Sequence, residues 1–256
     1  MVAASKDNSK LKKLPASVSL IMSNAIESNE IHSLNDIGVL APNFTMLDYG
    51  SNLTSPIYIR VIGSRINSPS VGLYVDNVPY FEKAAFDFDF YDIRQVEVLR
   101  GPQGTLYGRN SLGGLINVIT LSPEIYQGTR FNISAASYSN YRFNASHYNK
   151  INEKLAFSIA GNYQQGDGFY KNRYLDDQVD EFTSYGVRGK LIFNITDNLS
   201  IENIASFDEL GQGGYPYAVF NDSLQQPEDI MYNQKSSYGR LMFSDGLIAN
   251  YTNENW

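Results

Sequence analysis

The segment from Asp92 to Thr120 constrains the fold of this chain more than any other, because its glycines fall between two strand patterns. Valines alternate with other residues up to Arg100, and a second β-branched run ends at Thr120. The connection between them is rich in residues that supply fixed or permissive backbone angles. These residues are Gly101, Pro102, Gly104, Gly108, Gly113 and Gly114. The segment therefore predicts two strands joined by a sharp, irregular connection.

Nucleotide binding is the main functional alternative for a glycine-rich connection. A phosphate-cradling Walker loop needs GxxxxGK followed by Ser or Thr, and the stretch GRNSLGG has no lysine in that place. A dinucleotide-binding turn needs GxGxxG at the start of a helix, which is also missing. A hairpin or bulge remains as the plain structural interpretation.

Composition narrows the function classes. The 256 residues allow one large domain or two smaller ones, and 43% apolar residues are enough for a core. A net charge of -7 argues against nucleic acid as a partner. Cysteine is absent, and the two histidines are too far apart in pattern for a metal site. No GxSxG elbow or Ser/His/Asp arrangement is present, so we predict neither an enzyme nor a bound cofactor.

Up to Pro123 the pattern predicts a small α+β domain. A first strand is expected at 17–22, and two helices at 24–31 and 33–40, with Ser33 as an N-cap and Pro42 beyond the second helix. Further strands are expected at 57–61 and 71–75. The N-terminus, MVAASKDNSKLKKLP, has no apolar core of a secretory signal, so an exported protein would have its signal upstream.

After Pro123 the hydrophobic period becomes two and predicts six antiparallel strands. They lie near 131–135, 141–146, 155–164, 184–193, 199–208 and 239–243. Each is roughly ten residues long, the length that a tilted strand needs to cross a bilayer. Short turns are expected near 139–140, 149–153 and 194–198, and longer loops at 166–181 and 209–234. A soluble antiparallel sandwich predicts similar alternation, so the pattern by itself leaves both architectures open.

The glycine-rich segment closely resembles the plug-domain signature of TonB-dependent outer-membrane receptors, VEVLRGPxGxLYGxxxxGGxINVIT. Three further segments match the family in its order: PASVSLI, IYIRVIGSR and VGLYVDNVPY. The resemblance implies a plug at 1–123 and the N-terminal part of a transmembrane β-barrel at 124–256. About six of roughly 22 barrel strands would be present. We therefore expect an N-terminal fragment that alone neither inserts stably nor transports, because its strand edges would be unpaired in lipid.

The resemblance also implies a function in the bacterial outer membrane. Receptors of this family take up scarce, bulky ligands by energised plug rearrangement, most often an iron-siderophore complex. Cobalamin, haem or an oligosaccharide, or a β-sheet binding module that does not transport, are the alternatives. The implied partners are TonB with ExbB and ExbD on the periplasmic side, outer-membrane lipid and the small ligand. A TonB box should precede Met1 or overlap the Val2–Ala4 stretch.

Individual site residues follow from the same resemblance. Arg60 and Arg100 match the family's IRG and LRGP arginines, which pair with barrel-wall glutamates; solvated strand-end charges are the alternative. Val61 stands where the family commonly has glycine, so the backbone there is expected to depart from the pattern. A ligand-facing apex is expected in 64–70 and 80–91, although packing of its phenylalanines is equally compatible. Its candidate residues are Arg65, Tyr80, Phe81, Phe86, Phe88 and Phe90.

Overall fold

The computed structural model describes residues 17–47, 49–51, 53–64, 68–214 and 216–252. The chain forms two compact units that meet in sequence between Ile125 and Tyr126, against an expected boundary at Pro123. Within the described ranges, no helix is both long and apolar enough to cross a membrane.

The first unit is an α+β domain of short elements. Its strands are β1 (Ser17–Met22), β2 (Phe44–Met46), β3 (Ile57–Ile59), β4 (Ile62–Gly63), β5 (Val71–Val75), β6 (Val78–Tyr80), β7 (Ile93–Arg100) and β8 (Gly114–Thr120). Its α-helices are α1 (Ser23–Ser28) and α2 (Gly104–Tyr107), and 3-10 turns lie at Asn35–Val39 and Lys83–Ala85.

Five of these strands form one mixed sheet in the order β1-β7-β8-β5-β6. Strands β5 and β8 run parallel, and the other pairs are antiparallel. Strands β7 and β8 lie in the interior of this sheet, and four of their β-branched side chains are fully buried, as expected of central strands. These side chains are Val96, Val98, Ile116 and Val118. Strands β2, β3 and β4 form a separate three-stranded sheet.

The predicted helix at 33–40 is only a 3-10 turn, and the expectation that Ser33 caps a helix is wrong. The Asp36 carboxylate accepts hydrogen bonds from the backbone N–H groups of His32 and Ser33, at 2.8 and 3.0 Å. The acid therefore folds back on the chain before it, and the Ser33 hydroxyl accepts from Asn35 N at 3.2 Å. Local side-chain bonds of this kind compete with a regular helix start.

The second unit is a six-stranded antiparallel sheet with two small hairpins. Its strands in chain order are β9 (Gly128–Ala136), β10 (Asn140–Lys150), β11 (Leu155–Gly166), β12 (Lys171–Asn172), β13 (Asp177–Gln178), β14 (Phe182–Thr196), β15 (Leu199–Gly213), β16 (Phe220–Asn221), β17 (Gln226–Pro227) and β18 (Ser237–Tyr251). The sheet order is β9-β10-β11-β14-β15-β18, and this sheet is not closed within the described residues. All six predicted strands are confirmed.

The two faces of this sheet have inverted polarity relative to a soluble protein. Large apolar side chains are exposed, including Phe131 at 75%, Ile133 at 72% and Phe243 at 70%. The opposite face is buried and mostly polar, with Ile192, Ile204 and Leu210 among its apolar residues; its polar residues include Ser158, Asn162, Gln164, Ser184, Arg188, Lys190, Ser206 and Asp208. A soluble sandwich buries its apolar face, whereas a membrane-spanning sheet turns that face to lipid. The sandwich alternative is therefore excluded.

Candidate functional site

Most of the predicted site residues lie at one edge of the five-stranded sheet, by which we mean the row of strand ends and not an edge strand. Strand β7 ends and β8 begins there, because Arg100 pairs with Gly114. Strand β5 also begins at this edge, since Val71 pairs with the same glycine. Strand β6 ends there, and Gly113 N donates to Ser70 O at 2.9 Å. We call residues 60–64, 68–70, 81–83 and 100–113 the signature edge.

The connection between β7 and β8 is fixed by bonds within itself. Gly101 N donates to Gly113 O at 3.1 Å, and Gln103 N donates to Ser111 O at 2.9 Å. The ring of Tyr107 anchors the connection to the sheet. This ring is buried and meets the Tyr74 ring edge-to-face at a centroid distance of 4.8 Å. The backbone carbonyl of Tyr107 accepts a hydrogen bond from the Tyr74 hydroxyl at 3.0 Å. Burial, together with the nearby Glu97 carboxylate and Tyr74, raises the pKa of Tyr107 to about 12.

Glycine occupies the signature positions for different structural reasons. Gly101 and Gly108 have φ angles of +99° and +67°, which side chains rarely adopt. Gly114 has φ +154°, and a Cβ there would lie 2.4 Å from Leu99 O. A Cβ on Gly113 would lie 3.0 Å from Ile62. Gly104 lies in α2 with space around it, and Pro102 is exposed. Four of the six residues are thus required by backbone angle or close packing.

Arg60 and Val61 form a tight turn where the sequence predicts the end of a strand. Strand β3 stops at Ile59, because the next two residues have φ angles of +51° and +67°. Arg60 N donates to Asn43 O at 2.9 Å, which holds the turn in place. The Val61 side chain is 91% exposed. Val61, at a position where the family commonly has glycine, therefore has a left-handed backbone, and its side chain gains no packing there.

Arg100 is held by groups of its own unit. Its Nε donates to Pro42 O at 2.9 Å, its Nη1 donates to Ser17 Oγ at 2.8 Å, and its Nη2 donates to Ser19 Oγ. Burial lowers the pKa of Arg100, and the positive charge of Arg60 lowers it further. Arg60 itself is exposed. The pairing of either arginine with barrel-wall glutamates stays a prediction.

Most of the expected ligand-facing aromatics lie in the core. Tyr80, Phe86, Phe88 and Phe90 are between 1% and 8% exposed, so the structure does not place them on a surface. Phe88 packs against Tyr80 and Phe90 with centroid distances of 5.9 and 5.6 Å. Phe90 N donates to His32 O at 2.7 Å, which draws the segment onto the chain after α1. The packing alternative fits these four residues.

Phe81 is the exception in this segment, with 41% of its surface exposed. The guanidinium carbon of Arg109 lies 4.0 Å from its ring centroid, in the geometry of a cation–π contact. Arg109 comes from the signature connection and was not predicted from the sequence. No pattern could have identified it, since the two residues lie in separate connections. Arg65, the remaining apex candidate, lies outside the described residues.

In the second unit, the two long connections bind each other and form what we call the loop pair, residues 167–181 and 216–236. Arg173 N donates to Ile230 O at 2.8 Å, and Asn172 Nδ2 donates to Tyr232 O at 2.9 Å. Lys235 lies 2.8 Å from an oxygen of Asp177 and 3.1 Å from one of Glu181. In the described part of the chain, no three His, Cys, Asp or Glu side chains form a possible metal site.

These features define a class: a small plug-like domain followed by antiparallel strands that turn their apolar face outward. Comparison with known proteins agrees with this class. Residues 10–115 match the TonB-dependent receptor plug domain. The vitamin B12 transporter of Vibrio vulnificus is 26% identical over 98% of this chain and 42% of its own length. The pesticin receptor of Yersinia pestis is 36% identical over 48% of this chain and 19% of its own length.

Solved structures share the fold. The ferric yersiniabactin uptake receptor of Yersinia pestis matches with a TM-score of 0.81 and 25% identity, over 93% of this chain and 39% of that one. A ferripyoverdine receptor of Pseudomonas aeruginosa matches with a TM-score of 0.72 over 94% of this chain and 32% of that one. Its 19% identity makes it a likeness of fold alone.

Residues 10–115 carry the plug domain of TonB-dependent receptors, and over nearly its whole length the chain shares the fold of such receptors of the bacterial outer membrane. It carries their plug and part of their strand sheet, and it spans less than half the length of the relatives named above. Members of this family are transporters and not enzymes.

Proposed function

We propose that the receptor to which this chain contributes takes up an iron-siderophore complex across the outer membrane, by TonB-dependent rearrangement of its plug. The observation that carries the proposal is the plug match at residues 10–115, followed directly by strands whose apolar face is exposed. A gated uptake receptor needs both parts. The similarity to an uptake receptor for ferric yersiniabactin supports iron as the cargo.

The signature edge supplies a chemical preference for the ligand. Phe81 and Arg109 present an exposed ring with a cation over it, and Arg60 is exposed at the same edge. Cationic and aromatic groups together attract anionic, planar groups. A ferric complex with surplus carboxylate or catecholate oxygens carries such groups, whereas an uncharged sugar does not. We propose Phe81 and Arg109 as ligand contacts of the plug.

Uptake by the receptor in its native cell tests the ligand. A deletion strain should lose accumulation of a radio-iron siderophore from a panel and keep normal accumulation of radiolabelled cyanocobalamin. Within the restored receptor, Phe81→Ala and Arg109→Gln should each weaken ferric-siderophore binding. Phe131→Ala, on the exposed sheet face, is the matched control and should bind normally. Unchanged iron uptake in the deletion strain would contradict the proposal.

Cobalamin is the second candidate, and one observation favours it. The vitamin B12 transporter of Vibrio vulnificus aligns with 98% of this chain, through the plug and all the strands. If the deletion strain loses cyanocobalamin uptake and keeps iron uptake, this candidate replaces the siderophore.

TonB, with ExbB and ExbD, is the proposed energy-coupling partner on the periplasmic side. TonB would engage a box that precedes Met1 or overlaps the Val2–Ala4 stretch, which lies outside the described residues. Site-directed crosslinking from that segment to TonB in whole cells should give a receptor–TonB product that depends on ligand. Absence of the product under iron starvation with the transported ligand present would contradict this partnership.

A further inference from the structure

We propose that Arg100 is a latch that holds the N-terminal strand β1 on the plug sheet and must release before β1 can leave. The inference rests on the proposed function only in that TonB would supply the pull. The latch itself is a property of the plug and can be measured without TonB or ligand. Arg100 acts here as a positioning residue for β1.

Strand β1 is placed where such a latch is needed. It is an edge strand of its sheet, and among the described residues its sheet neighbour is β7, with six paired positions from Ser17↔Arg100 to Met22↔Gln95. Ser17, the first residue of β1, pairs with Arg100. A pull from the N-terminal side therefore loads the Ser17↔Arg100 end first.

Apolar burial is smaller at that end than at the other. Of the six residues of β1, only Ile21 is buried, and it lies near the far end of the strand. Ser17 is exposed, and Val18 is partly buried against the cluster of Leu99, Tyr107 and Leu115. Hydrophobic anchoring grows with buried apolar area, so it protects the Ile21 end more than the Ser17 end. Polar contacts add to the hold that Val18 gives near Ser17.

Arg100 supplies those contacts with a geometry that few side chains reproduce. Ser17 and Ser19 stand two residues apart and so lie on one face of the strand, and both hydroxyls accept from the guanidinium. The third bond, from Nε to Pro42 O, fixes the guanidinium from the other side. One planar fork thus ties two positions of β1 to the chain after the 3-10 turn. A lysine offers a single charged point and cannot make this fork.

Electrostatic repulsion from Arg60 couples the state of Arg100 to the position of β1. The Arg60 charge is close enough to Arg100 to disfavour its charged form. The two serine hydroxyls help to offset that repulsion while β1 is in place. When β1 leaves, both hydroxyls leave with it, so departure of the strand and rearrangement of Arg100 are coupled.

Hydrogen exchange of the purified full-length receptor tests the latch. We expect Ser17→Ala/Ser19→Ala to speed exchange of the β1 amides by about tenfold or more, since bonds to charged groups each contribute at least a factor of that order. Arg100→Lys should behave like the double variant. Ser28→Ala is the matched control, because its hydroxyl bonds within its own helix, to Ala25 O at 3.5 Å, and exchange of β1 should not change. Exchange of β8, and of the β7 amides that bond to β8, should stay slow in all variants.

Two results would overturn the latch. One is unchanged β1 exchange in the double serine variant. The other is faster exchange spread equally over β1, β7 and β8, which would mean general destabilisation of the plug. Neither depends on uptake, so a receptor that fails to transport iron can still show the latch, and a transporting receptor can still lack it. Pulling single receptors by the N-terminus should give a lower first rupture force for the double variant than for Ser28→Ala.

Discussion

Val61 is the residue whose backbone most clearly disagrees with its side chain. A β-branched residue at φ +67° is uncommon, and the exposed side chain gains no packing from this position. We expect Val61→Gly to stabilise the plug by about 1 kcal/mol, the usual cost of a left-handed L-residue. Hydrogen exchange of plug amides in the full-length receptor measures the change. Val39→Gly, another exposed valine, should destabilise instead, and equal effects of both variants would contradict the explanation.

Gly114 and Gly104 should respond oppositely to alanine. A Cβ at Gly114 would meet Leu99 O at 2.4 Å and Ile59 Cδ1 at 2.9 Å, so backbone must move. A Cβ at Gly104 would have Ser111 Oγ as its nearest neighbour, at 4.0 Å, and alanine favours a helix. Gly114→Ala should lower the amount of folded receptor in the outer membrane severalfold, and Gly104→Ala should leave it unchanged. Similar amounts for both variants would contradict this reading of the signature.

Thr120 is the last residue of β8, at the end of the strand that lies away from the signature connection. Its N–H and hydroxyl donate to the buried Asp76 carboxylate at 2.9 and 2.6 Å. Thr120→Val keeps the shape and removes one bond to a charged group, so the plug should lose about 2 kcal/mol of unfolding free energy. Thr45→Val, on the exposed position of β2, should change it by less than about 0.5 kcal/mol. A loss of comparable size in the control would refute the assignment. Chemical denaturation followed by hydrogen exchange measures both.

At the scale of elements, Lys235 should control how tightly the loop pair is joined. The hydrogen bond from Lys235 to Asp177 lowers the pKa of Asp177. The same hydrogen bond, followed by the one to Glu181, raises the pKa of Lys235. The lowered acid pKa means that the contact is present above the free-Asp pKa of about 3.9 and is lost as pH falls through the bound value. The raised lysine pKa means that it is present below about 10.4 and is lost as pH rises further.

The chain contains no cysteine, so spin labels at Tyr174→Cys and Leu224→Cys can report the distance across the loop pair. The distance distribution should stay constant from about pH 5 to 9 and broaden below about pH 4. Lys235→Gln should broaden it at neutral pH, whereas Lys171→Gln, which removes an ion pair to Asp176 within one loop, should not. Identical distributions for Lys235→Gln and the parent would contradict a joined loop pair.

Sequence pattern predicts the strands, whereas side-chain contacts, some local and some between distant residues, decide the exceptions. The six long strands were predictable, because alternation persists along each one. The 3-10 turn at 35–39 was not, because Asp36 turns back to bond the chain before it. The burial of Phe86 and Phe88 was open, since aromatic residues between strands fit either a surface or a core. The partners of Arg100 were missed, because Ser17 lies more than eighty residues away.

At the scale of the whole molecule, two physical facts carry the account. The second unit exposes its apolar face and buries its polar one, so lipid and not water is the solvent for the exposed face. The first unit is a small domain that matches the plug of TonB-dependent receptors. Sequence alternation predicted the strand faces, but burial was needed to decide which face points outward. Arg109, the proposed ligand contact, lies over the Phe81 ring, and this contact appears only in the fold.

Accumulation of a radio-iron siderophore, in cells with and without functional TonB, tests whether this receptor takes up iron with energy from TonB. Cells carrying the receptor and TonB should accumulate the complex against its gradient. Cells that lack TonB should bind it at the surface and not accumulate it. Equal accumulation in both strains, while receptor amounts are equal, would contradict the account.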